Sequence, residues 1–185
     1  IIGCVGRGER TLETLVHGLE NLEYRGYDSA GVSLVGSELS VCKTSGKINS
    51  LKKSLGQHSL SGTVGIGHTR WSTHGPPTDT NAHPHQDCTG EVSVVHNGII
   101  ENYQTLRDKL TDAGHEFTSE TDTEVVPHLI EDALASGEHP EAAFRFAVEQ
   151  LEGSYALAAV IEATEALFAA RNDSPLVIGL GMDPD

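Results

Sequence analysis

Gly36-Ser37-Glu38 separates two strand-forming runs, Ala30 to Val35 and Leu39 to Thr44. Three residues cannot hold the crossover that a parallel pair requires, so these strands are antiparallel neighbours joined by a hairpin. Strands also cluster near the other end, where Ser154 to Ile161, Ala166 to Ala170 and Leu176 to Leu180 read as three in succession. Strands that come in runs exclude a doubly wound parallel sheet. They favour antiparallel sheet layered with helices, the α+β class.

Apolar spacing supplies the layering helices. Leu12, Leu15, Val16, Leu19 and Leu22 form one face of a helix over 9–22. A short basic helix is predicted over Ile48 to Leu55, and another begins at Asn102 with Tyr103, Leu106 and Leu110 inward. Asp122 to Ala135 reads as a helix with Pro127 in its first turn, where the ring breaks no hydrogen bond. Pro140 opens a last helix to Leu151. Further strands are predicted at the start of the chain, over Thr63 to His68 and over Glu91 to His96. The 185 residues suit one domain, 1–185, with a real core.

Charge narrows the partners. With 27 acidic against 12 basic residues the net charge is −15, which opposes phosphate backbones and anionic membranes; no nucleic acid or membrane partner is expected. The acids are dispersed, and their mutual repulsion predicts a melting temperature that rises in KCl. Cys4, Cys42 and Cys88 are odd in number and irregular in spacing, without a CxxC, so a disulfide framework is not expected and a reducing cytoplasm is.

Four stretches carry chemistry. The run 64–67 leads into HTRWSTH at 68–74, and Gly75-Pro76-Pro77 then stops regular structure. A strand end that presents Arg70, Trp71, Thr73 and His74 offers a planar cation, an aromatic plate and short polar groups, which suit a small carboxylated molecule. A surface Arg beside a half-buried Trp is the plain alternative. Asn97-Gly98 is either a tight hairpin turn or a strand end whose side-chain amide and backbone N–H face a cleft as oxyanion donors. Thr121 and Glu124 have capping-box spacing ahead of an apolar helix, and Asp122 either favours that helix end or receives an ammonium group. The loop 72–90 is long for a compact domain, and His83-Pro84-His85 within it could hold a metal as part of a metal-dependent hydrolase.

LEYRGYDSAG at 22–31, the HTRW stretch, NAHPH at 81–85, VHNGIIEN at 95–102, SETDTEV at 119–125 and SPLVIG at 174–179 occur in this order. Together they closely resemble the glutaminase domains of the glucosamine-6-phosphate synthase family, class II glutamine amidotransferases. The resemblance covers nearly the whole chain. It implies a four-layer αββα sandwich of two antiparallel sheets, of the N-terminal-nucleophile hydrolase type, and hydrolysis of glutamine to glutamate and ammonia. It implies no cofactor and no metal. In such enzymes the ammonia passes to a sugar-isomerase domain that converts fructose 6-phosphate to glucosamine 6-phosphate, in a homo-oligomer.

Carried over by position, the resemblance has Arg70 hold the glutamine α-carboxylate with help from Thr73 and His74. Asp122 and the Gly98 carbonyl hold the α-ammonium. The Asn97 amide and the Gly98 N–H form the oxyanion hole. Trp71 sits on a loop that closes over glutamine, Arg25 braces the nucleophile region, and His83 belongs to the ligand-side loop. The family's nucleophile is a Cys two residues before the position of Ile1, followed by Gly, with its own α-amine as base. It therefore lies upstream of Ile1, and the last C-terminal strands and the isomerase domain are expected beyond Asp185. Cys4, Cys42 and Cys88 match no nucleophile position. A protein beginning at Ile1 is expected to bind glutamine without cleaving it.

Overall fold

The computed structural model describes residues 1–6, 10–57, 59–71 and 75–181. Eight strands form two four-stranded sheets. The first has the order β1 (Ile2–Val5), β4 (Val64–Arg70), β2 (Ser29–Val35), β3 (Leu39–Ser45), and the second β5 (His85–Gln86), β6 (Val92–Gly98), β7 (Tyr155–Ile161), β8 (Leu167–Asn172). Every pairing is antiparallel, including the β2–β3 hairpin that the three-residue connection requires.

Period-2 alternation decides which side chains enter which layer. On β2, Ala30, Val32 and Leu34 turn outward and meet Leu15 and Leu19 of α1 (Thr11–Leu22) and Ile48 and Leu51 of α2 (Ile48–Leu55). Val35, Val64 and Ile66 turn inward and meet Val95, Ala158 and Val160 of the other sheet. The outer face of the second sheet, with Val92, Val94, Leu157, Ala159 and Ile161, carries α3 (Tyr103–Ala113), α4 (Val125–Ala135) and α5 (Pro140–Glu149). The result is the expected αββα sandwich. On β4 the positions facing α1 are glycines. A Cβ at Gly65 would lie 2.8 Å from a Leu15 methyl and from the Ser33 carbonyl, so the helix seats directly on the backbone.

Three local expectations change. Leu176 to Leu180 forms no strand: Val177, Ile178 and Leu180 are exposed, and no strand among the described residues pairs with them. An apolar run marks residues suited to burial, whereas a strand also needs a neighbouring edge. The capping box at Thr121 does not form. Glu124 instead accepts from the backbone N–H groups of Thr118 (2.8 Å) and Ser119 (2.7 Å) and from both their hydroxyls, and α4 begins only at Val125 with Pro127 in its first turn. Finally, the part of the long loop from 75 to 90 is well tied and contains β5. The Lys43 ammonium donates to the carbonyls of Thr80, Ala82 and Pro84 at 3.2, 2.8 and 2.9 Å, and Asn81 bridges Pro76 and Glu120.

Candidate functional site

Strand β4 passes from core to site without a break. Its inward positions run Val64, Ile66, His68, Arg70, so the face that closes the sandwich at one end opens a polar mouth at the other. Strand β6 mirrors it with Val95 followed by Asn97. The chain enters the same mouth from a third side. Ile2 pairs with Gly67, so the register carries Ile1 toward His68, and the Ile1 nitrogen is buried where Arg25 and His68 both feel its charge.

Arg70 is buried at the end of β4. Its Nη1 and Nη2 point at the carbonyls of Pro76 and Gly75, each at 3.5 Å. Burial lowers its pKa from the ordinary value, and the carboxylates of Asp28 and Asp122 oppose that shift. Asp122, also buried, lies across from it on the segment leading into α4. One oxygen of Asp122 accepts from the Ile100 N–H at 2.9 Å, and the other has His96 Nδ1 at 3.9 Å. His96 Nδ1 in turn bonds Thr123 Oγ1 at 2.9 Å. A cation and an anion fixed on opposite sides of one mouth match the two charges of a free α-amino acid.

Asn97 and Gly98 stand at a strand end, and the tight-turn alternative falls. β6 continues to Gly98, and Ile99 N–H then bonds the Ser154 carbonyl just ahead of β7. Gly98 has φ +121°, and a Cβ there would lie 2.1 Å from the Ser154 oxygen, so only glycine fits. The Asn97 side-chain oxygen sits 2.7 Å from His68 Nε2. With its oxygen engaged, the amide keeps its NH₂ as the group left to donate. This is a role for His68 that its sequence neighbourhood does not reveal, because the partners are 29 residues apart.

The histidine loop supports this arrangement, and its described residues bring no group of three potential metal ligands together. His83 stacks on His68 with ring centres 4.2 Å apart, His85 meets His83 edge-on at 4.7 Å, and His83 Nδ1 accepts the His96 N–H. His85 Nε2 bonds Thr121 Oγ1 at 3.1 Å. Burial first, then neighbouring charges, keeps the pKa of His83 and His85 well below the ordinary value and takes His68 to about 3. The rings are neutral, packed supports. Trp71 is exposed and meets Tyr27 edge-on at 5.4 Å, beside the mouth. Arg25 donates to the Tyr24 hydroxyl at 2.9 Å. Thr73 and His74 lie outside the described residues. A roomy groove on the outer helix layer, lined by Leu106, Leu129 and Phe146 among others, shares no residue with this mouth.

Comparison with known proteins follows the same residues. Positions 68–181 match the family described as the glutamine amidotransferase domain. The chain is 51% identical over 184 residues to the glutamine–fructose-6-phosphate aminotransferase (isomerizing) of Sulfurisphaera tokodaii, covering 98% of this chain and 31% of that one. It is 57% identical over 169 residues to the protein of that name in Halobacterium salinarum, covering 90% and 28%. The chain thus spans about a third of the length of these relatives. Among solved structures, the glutamine phosphoribosylpyrophosphate amidotransferase of B. subtilis superposes with a TM-score of 0.71 at 28% identity, over 86% of this chain and 34% of that one. A structure described as the allosteric regulatory enzyme of purine biosynthesis gives 0.74 at 27%, over 86% and 35%.

Proposed function

We infer that this chain, which belongs to the glutamine amidotransferase domain family, hydrolyses glutamine to glutamate and ammonia. The observation that carries the reading is the single mouth onto which Arg70, Asp122 and the Asn97–Gly98 strand end converge. Arg70 takes the α-carboxylate and Asp122 the α-ammonium, so the side-chain amide is directed at the Asn97 amide and the Gly98 N–H. These two donors stabilise the oxygen that becomes charged when the amide carbon is attacked. Thr73, His74 and Trp71 flank the substrate, Arg25 borders the entry of β1, and His83 backs His68.

The attacking group in this proposal is a cysteine two residues ahead of Ile1, carried into the mouth by the β1 register. Its free α-amine, with an unperturbed pKa of about 7.7–8.0, takes the thiol proton and returns it to the departing ammonia. Water then cleaves the thioester to glutamate. The relatives are named glutamine–fructose-6-phosphate aminotransferase (isomerizing), and in this proposal the whole polypeptide passes the ammonia to a sugar-isomerase domain that converts fructose 6-phosphate to glucosamine 6-phosphate. A homo-oligomer in the cytoplasm belongs to the same proposal. No helix among the described residues is long and apolar enough to cross a membrane.

The test uses the complete polypeptide with Met-Cys-Gly ahead of Ile1 and follows ammonia release from glutamine. Turnover is expected with that start and is lost when Ser replaces the Cys or when the Met is retained. A glutamine-like alkylating agent should attach to the Cys. Ammonia release that survives the Ser replacement overturns the mechanism.

A further inference from the structure

Outside the mouth, Cys88, His115, His128 and Glu131 bring one donor atom each to a common point. Among the described residues they are the one group of three or more potential metal ligands whose donor atoms all lie within 4.8 Å of one another. Cys88 follows β5, His115 follows α3, and His128 and Glu131 stand three residues apart on α4. Cys88 Sγ is 3.7 Å from His115 Nδ1 and 3.6 Å from His128 Nδ1. Those two nitrogens are 2.9 and 3.0 Å from the same Glu131 oxygen. With Zn–S near 2.3 Å and Zn–N near 2.0–2.1 Å, the sulfur–nitrogen edge of a zinc tetrahedron is about 3.6 Å. The nitrogen–oxygen edges are shorter than a tetrahedron needs and open slightly around an ion.

We propose that Cys88, His115, His128 and Glu131 form a structural zinc site that ties the loop after β5 and the α3–α4 connection to helix α4. One thiolate, two imidazoles and one carboxylate are ligands that zinc takes, and four protein donors leave no open position for chemistry. The contacts of His115 suit the ion. Its Nδ1 faces Glu131 and its Nε2 faces Asp132 Oδ1 at 2.8 Å. With a metal on Nδ1, Nε2–H donates to Asp132 in the outer-shell arrangement that orients metal-bound histidines.

The placement gives the site a purpose. Helix α4 starts immediately after Asp122-Thr123-Glu124, and the segment bearing Cys88 continues from His85, which bonds Thr121. A zinc staple there would fix the helix layer from which Asp122 enters the mouth. No step of glutamine hydrolysis passes through the ion.

The test loads the complete natural polypeptide that carries residues 1–185 with zinc, removes loose metal by gel filtration, and counts zinc per chain. The wild type should carry one equivalent more than Cys88→Ala, with matching far-UV circular dichroism. Cobalt in place of zinc should show a thiolate charge-transfer band that Cys88→Ala lacks. Asp132→Asn removes none of the four ligands, only the partner of His115 Nε2, and should weaken zinc binding by about 10–100-fold in competition with a chelator. Added zinc should raise the melting temperature of the wild type and not of Cys88→Ala. Equal zinc in wild type and Cys88→Ala, or a cobalt form without the thiolate band, overturns the site.

Discussion

The molecule holds two groups of histidines, and they are built in opposite ways. In the mouth, His83 stacks on His68 and meets His85 edge-on, all three deeply buried, and they face hydroxyls, an amide and backbone. On the outer helix layer, His115 and His128 face carboxylates and a thiol. The same side chain is a neutral spacer in the first place and a convergent donor in the second. Neighbours decide the difference: desolvation without an anion removes the proton, whereas a ring between acids gains from a cation. A histidine-rich segment is therefore poor guidance to a metal site. Here the dense run His83-Pro84-His85 serves packing, and the metal-like geometry comes from residues scattered from 88 to 131.

If the mouth is the place of chemistry, the largest effect belongs to Asn97. Asn97→Ala should lower turnover by about 10²–10³ with a much smaller change in glutamine binding, because the donor acts on charge that develops only during attack. Zinc content should not move. Equal losses in binding and turnover would place Asn97 on the ground-state ligand instead.

Arg70→Lys comes next. The substitution keeps the charge and loses the planar fork, so glutamine use should weaken by roughly 1.5–3 kcal/mol in kcat/KM, the scale of a charged hydrogen bond. An unchanged specificity constant removes Arg70 from the substrate.

Acidity separates the two groups further. His68 has a folded pKa of about 3, against about 6.5 in the unfolded chain, and His83 and His85 shift in the same direction. Below pH ~6.5 the unfolded state takes up protons that the folded state refuses. Their contribution is therefore whole above pH ~6.5 and is lost as pH falls below it, for His68 toward 3. Each such histidine steepens the loss by up to about 1.4 kcal/mol per pH unit. Denaturant melts from pH 7 to 4 on the wild type and on His85→Gln should show a smaller slope in the variant. Parallel slopes would mean that His85 charges inside the fold.

How much of this was legible in the sequence follows from the range of each signal. The β2–β3 hairpin, the amphipathic helices and the αββα layering were legible, since period and connection length are local. The convergence of Arg70, Asn97 and Asp122 came from the resemblance, because each sits on a different element. The exposed run Leu176 to Leu180 misled, since apolarity marks suitability for burial and not a partner. Cys88 had no local cue: its partners are 27 and 40 residues away, and only the folded helix layer assembles them.

The smallest expected effect bears most directly on the neutral-spacer reading. His68 touches Asn97 and is read here as a positioning residue, so removing it should disturb turnover through Asn97 alone. His68→Leu keeps volume against His83 and deletes the hydrogen bond. Asn97 is exposed, so water can satisfy its freed oxygen, and the cost is loss of orientation rather than a buried orphan. A fall in kcat of about 2- to 12-fold with KM nearly constant is expected, the worth of one net hydrogen bond of ~0.5–1.5 kcal/mol. His68→Gln can place an amide N–H where Nε2 stood and should recover much of the loss. A merely structural His68 would instead lower the melting temperature of both variants alike and leave kcat per folded molecule unchanged. In that case the Asn97 amide is oriented by the glutamine it meets.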